Sequence, residues 1–181
     1  MPIFDAHLDL AWNALEWNRN LELPVREIRR FEQHFDGEYP GPPTVSFPEL
    51  RRAGIGIVIA TLLPRLHRRA SPLTFYQSRE AAHAAALGQL AYYRAMCRKG
   101  VLRELSTGPD LRAHADLWMA WESGDQTEPA PPIGFVLSME GARRFRLRGR
   151  RATGSNGASA SLARHITVRT STAMAPVVAA D

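Results

Sequence analysis

The amino-acid sequence predicts an α/β fold on a parallel sheet, from three observations. Residues 54–64 (GIGIVIATLLP) and 133–142 (IGFVLSMEGA) are largely apolar, β-branched runs, as expected of strands buried on both faces. Between them lie two segments with helical spacing. A shorter, buried-looking strand pattern opens the chain at Ile3-Phe4. Strand, helix, strand, helix, strand is the order of βαβ units, which build parallel sheets.

In chain order, Ile3-Phe4 followed by alternation reads as a strand that ends at a polar cluster, Asp5, His7 and Asp9. Residues 10–17 (LAWNALEW) have helical spacing, with Leu10, Ala14 and Trp17 on one side. Residues 19–45 are polar and rich in Pro and Gly, and read as a long loop. Ser46, with Glu49 three residues on, is expected to form a capping box for a short helix through Arg52. Residues 75–98 read as a long helix with Ala82, Ala86, Leu90 and Tyr93 on its apolar side, closing at Gly100. Thr107–Ala120 reads as another, capped by Thr107, with Pro109 and Asp110 in its first turn. The last strand runs straight into Glu140. Three strands are too few for a closed barrel, which typically takes about 250 residues.

Charge and composition narrow the function. The chain is 45% hydrophobic and holds no run of about 18 apolar residues, so no membrane span is expected. No basic segment of a secretory signal opens it. A single cysteine, Cys97, excludes an internal disulfide and a cysteine-built zinc site, and fits a reducing, cytoplasmic setting. The net charge of +5 is not spread evenly. Residues 143–181 hold eight arginines and one acid, Asp181, whereas the preceding residues hold 15 basic and 17 acidic groups. The basicity that would suggest a nucleic-acid partner belongs to the tail.

His7 and Asp9 lie two apart and so share a strand face, with Asp5 below them. An imidazole nitrogen and a carboxylate oxygen are good ligands for zinc or a similar divalent ion. The competing reading is that Asp5 and Asp9 cap the following helix and His7 is an ordinary polar residue. Glu140 also follows an apolar strand directly, and a parallel sheet brings such strand ends to one edge. There it could bridge two metal ions, or serve only as the cap of a helix after it.

The motifs DAHLD (5–9) and SMEGA (138–142) resemble those of the membrane (renal) dipeptidase family of metallopeptidases. TVSFPELRRAGIGIVIATLLP and LGQLAYYRAM look like bacterial members, so the resemblance spans residues 3–142. Ala6 stands where the common form of the first motif has Gly. The resemblance implies the amino-terminal part, about three βα units, of a (β/α)8 TIM-type barrel. It further implies zinc-dependent hydrolysis of dipeptides by two zinc ions, with His7 and Asp9 on the first and Glu140 bridging both. Family members draw two histidines for the second zinc, and a substrate-contacting histidine, from later strands, so the site is expected to be incomplete and activity impaired. His34, His67, His83 and His114 fall in loops or helices and receive no role, His83 and His114 being expected on helix surfaces. Cys97 is expected to pack rather than react. No catalytic residue beyond the ligands, and no substrate-binding residue, is assigned.

The organisation expected is a hydrolase part, 1–142, and an unstructured tail, 143–181. Of the tail's residues, 27 are Arg, Ala, Ser, Thr or Gly, the composition of a GC-rich gene read out of frame. Shifting the frame under Arg164–Val168 by two bases allows Ala-His-Tyr-Gly, and under Ala173–Val177 allows His-Gly-Thr-Gly. A frameshifted tail is therefore favoured over a designed basic arm. The expected partner is a dipeptide, with no membrane or nucleic acid. The rival readings are a nucleic-acid-binding protein using the arginine-rich tail, and another amidohydrolase-type enzyme acting on small amides or lactones.

Overall fold

Ile55–Leu62, the strand β2, is buried along most of its length and is the axis on which the rest is assembled. In this computed structural model, residues 1–34, 41–66, 75–127 and 129–140 are described. Around β2 stand β1 (Ile3–Leu8), α1 (Leu10–Glu16), α2 (Val25–Glu32) and α3 (Phe47–Arg52), then α4 (Arg79–Arg98), β3 (Leu102–Glu104), α5 (Gly108–Ser123) and β4 (Ile133–Met139). The four strands form one sheet in the order β1-β2-β4-β3, and every pairing is parallel. The α/β class holds. What the described residues form is an open sheet.

Each helix has a local reason to exist. The Ser78 hydroxyl accepts from Ala81 N–H at 3.1 Å to start α4. Ala82, Ala86, Leu90 and Tyr93 then all turn inward. Gly100, at φ 71°, stops the helix in a conformation that costs other residues a steric penalty. α5 opens on a complete capping box, Thr107 Oγ1 accepting from Asp110 N–H and Asp110 Oδ2 from Thr107 N–H. Its Trp118 and His114, one turn apart, press on the backbone at Gly56 of β2 and Gly134 of β4. A Cβ on Gly56 would meet Trp118 at 2.7 Å, and one on Gly134 would meet His114 at 2.5 Å.

Five details differ from expectation. The loop expected over 19–45 contains α2; only Val25 and Ile28 in it are buried, too short an apolar signal in a very polar stretch. Arg19 anchors that region from below, donating to Glu32 at 2.7 Å, Asn13 at 2.8 Å and the Gly41 carbonyl at 2.9 Å. Ser46 does stand at the N-cap of α3, but the expected capping box does not form: its hydroxyl makes no capping bond, and the Glu49 carboxylate accepts from Val25 N–H and Arg52. β3 was not expected; at three residues it is below what periodicity can register. β1 is an exposed outer strand, with Ile3 and Phe4 54% and 50% accessible, not a buried one. Lastly, α1 buries Leu10 and Ala11, while Ala14 and Trp17 are only half-buried.

Among the described residues no helix is long and apolar enough to cross a membrane. The tail expected to be unstructured, 143–181, lies outside the described residues, as does His67.

Candidate metal centre

Because all strands run the same way, β1 and β4 end at the same edge of the sheet on either side of β2. Glu140 N–H donates to the Leu62 carbonyl at 2.9 Å, which extends the β4–β2 ladder one residue and fixes where the glutamate leaves the strand. On the other side the β1–β2 register shifts between Asp5 and Leu8. Asp5 folds back locally, its Oδ1 accepting from His7 N–H at 3.0 Å, and takes no part in the cluster.

His7, Asp9 and Glu140 offer one ligand atom each, all within 4.8 Å of one another. His7 Nε2 lies 3.0 Å from Glu140 Oε1 and 3.6 Å from Asp9 Oδ2. Donors sharing a tetrahedral ion at about 2.0–2.1 Å stand about 3.3 Å apart, so the spacings from His7 to the two carboxylates bracket the separation such an ion requires. One imidazole and two carboxylates also match the ligand chemistry of zinc. The residues present fit the group.

The competing reading of Asp9 as a helix cap does not hold. Asp9 occupies the N-cap position of α1, yet its carboxylate makes no capping bond. Its Oδ1 accepts from the Thr61 hydroxyl, and Oδ2 faces His7.

Arg65 was not singled out from the sequence. Its guanidinium donates to Glu140 Oε2 at 3.1 Å and sits 5.4 Å above the Phe75 ring. The available signal was its place just beyond the apolar run of β2, at the sheet edge where the other two strands deliver their ligands. Nearby, the Tyr76 hydroxyl donates to Glu16, and burial together with that carboxylate pushes the phenol well above its usual range.

Among the described residues, the remaining histidines do not join the cluster. His34 is exposed and His83 half-buried. His114, expected on a helix surface, is 1% exposed with its Nε2 3.2 Å from the Gly56 carbonyl. Burial pushes its pKa down. Cys97 is half-buried and its thiol is pushed up, chiefly by burial, in keeping with a packing role.

The fold and site define an α/β chain with a candidate metal-binding group at one edge of a parallel sheet. No protein-family model and no curated protein matches it. Among solved structures it is similar to dipeptidase AC, a metallopeptidase, at 20% identity and a TM-score of 0.48, over 78% of this chain and 36% of that one. It is likewise similar to a metallopeptidase from Rhodobacter sphaeroides liganded with a phosphinate mimic of the dipeptide L-Ala-D-Ala, at 19% identity and a TM-score of 0.45. That match covers 78% of this chain and 38% of the other. The chain thus spans little more than a third of the structures it matches.

Proposed function

We propose that residues 1–142 are the amino-terminal part of a metallo-dependent hydrolase of the dipeptidase kind, built on a (β/α)8 barrel, and that 143–181 is a frameshifted tail. His7, Asp9 and Glu140 would hold a zinc ion. The observation that carries the reading is their convergence within 4.8 Å from the ends of two strands that are not neighbours in the sheet. The likeness of DAHLD and SMEGA to the membrane dipeptidase motifs supports the same choice.

A zinc ion held there supplies a Lewis acid for a peptide carbonyl and lowers the pKa of bound water. The chain's own residues do the rest. His7, half exposed, and the two less exposed carboxylates leave the centre open to solvent on one side. Arg65 stands beside Glu140 and places a positive charge at the mouth of the site, suited to a substrate carboxylate. Three protein donors make a minimal set, so we expect weak metal binding and little or no dipeptide turnover.

The test is zinc titration of the 181-residue chain, then an assay with simple dipeptides. Wild-type chain should take up one zinc, and His7→Ala or Glu140→Gln should weaken uptake at least tenfold. Binding indifferent to both substitutions would refute the centre. Uptake of two zinc ions with rapid turnover would refute the incomplete site.

A further inference from the structure

A carboxylate at an N-cap normally accepts from the N–H of the second or third helical residue, and is then unavailable to anything else. Asp9 is spared this. The second N–H of α1, from Ala11, donates to the Tyr93 hydroxyl at 3.2 Å. Tyr93 in turn donates to the Thr61 carbonyl at 2.9 Å, and the Thr61 hydroxyl donates to Asp9 Oδ1. The same hydroxyl is 3.4 Å from the Leu8 carbonyl, too long to compete for its single proton.

The parts of this chain are held from all sides. Tyr93 is fully buried and stacked on Phe135 at 5.2 Å, so its ring has one place to be. Burial also pushes its phenol well above the usual value, which keeps it a donor throughout the ordinary pH range. Thr61 is 1% exposed, and its β-branched side chain has few rotamers to choose from. One oxygen of Asp9 is therefore anchored, while the other faces His7 at 3.6 Å.

We infer that Thr61 and Tyr93 are positioning residues of the metal centre: Tyr93 caps α1 in place of Asp9, and Thr61 fixes the released carboxylate toward His7 and Glu140. The inference rests on the zinc reading above, and neither residue touches the ion. Partners of this kind typically contribute 10- to 100-fold to metal affinity.

The experiment measures zinc affinity of the 181-residue chain by competition with a chromophoric chelator, with circular dichroism as a check on folding. Thr61→Val keeps the shape and removes the hydroxyl, Thr61→Ser keeps the hydroxyl, and Tyr93→Phe removes the surrogate cap. Tyr92→Phe, its neighbour on α4, serves as control. Thr61→Val and Tyr93→Phe should each bind zinc about tenfold more weakly or worse. Thr61→Ser and Tyr92→Phe should stay close to wild type. If Tyr93→Phe loses its fold, the two Thr61 variants carry the test. Folded Thr61→Val that binds like wild type, while His7→Ala binds weakly, overturns this inference and leaves the centre standing. Thr61→Ser as weak as Thr61→Val overturns it too. Affinity unmoved by His7→Ala and Glu140→Gln overturns the centre and the inference with it.

Discussion

The imidazole of His114 fills the space that a side chain at Gly134 would need. A Cβ there would lie 2.5 Å from His114 Cδ2 and 2.7 Å from Leu105 Cδ1. Neither neighbour can retreat, since both residues are buried. Gly134→Ala should therefore destabilise the chain by about 2 kcal/mol, the usual range for overpacking. Urea denaturation reads this directly, and an unchanged midpoint would contradict the packing.

His114 should also make stability fall in acid. Burial lowers its pKa below the ordinary 6.5, aided by the charge of Arg103 and opposed by its bond to the Gly56 carbonyl. The unfolded chain takes up a proton near 6.5 while the folded chain stays neutral to lower pH. This contribution is present in full above 6.5 and is lost as pH falls toward the folded-state value. Urea midpoints at pH 8, 6.5 and 5 should drop in that order, and His114→Gln should flatten the lower part of the profile.

Arg19 and Glu32 form a buried pair, with side chains 7% and 12% exposed. Glu32→Ala leaves the guanidinium charged and short of its main partner, and should destabilise by about 3 kcal/mol. The double variant Arg19→Met, Glu32→Leu should recover most of that loss. A thermal melt of the three proteins tests both halves. A double variant no better than the single one would show that the pair itself is worth more than its desolvation.

Arg65 competes with any cation for Glu140. Its bond to Oε2 is half-exposed, so the competition is modest, within the 0.2–1 kcal/mol typical of such pairs. Arg65→Gln should then tighten zinc binding by up to roughly fivefold. Weaker binding in that variant would mean that the arginine orients the glutamate rather than opposing the metal.

Long-period features are readable in the sequence. The strand β2, the strand β4 (buried over Ile133–Phe135 and only half-buried beyond) and the helices α4 and α5 each carry many consistent positions, and Ala82, Ala86, Leu90 and Tyr93 all face inward as their spacing requires. His7, Asp9 and Glu140 were legible because parallel strands leave little choice about where their ends go. Features decided by one or two contacts were not. α2 buries two residues, β3 has three, and the capping box at Ser46 is missing, with the Glu49 carboxylate bonded to Val25 N–H. His114 looked like a surface residue because nothing local reveals that Gly134 leaves room for a ring.

The sheet order has a consequence for the life of the chain on the ribosome. β1 and β2 are neighbours in the sheet and both emerge early, whereas β4, on the far side of β2, is made only after α4 and α5. At about 5–20 residues per second, Glu140 emerges after Asp9 by on the order of ten seconds. Through that interval His7 and Asp9 would lack their third companion, beside a β2 edge with no strand yet on it. A cation met then would find two side chains at most. The candidate centre is completed by the same event that completes the sheet, the docking of β4, so a cation held by all three side chains would be taken up only after that step.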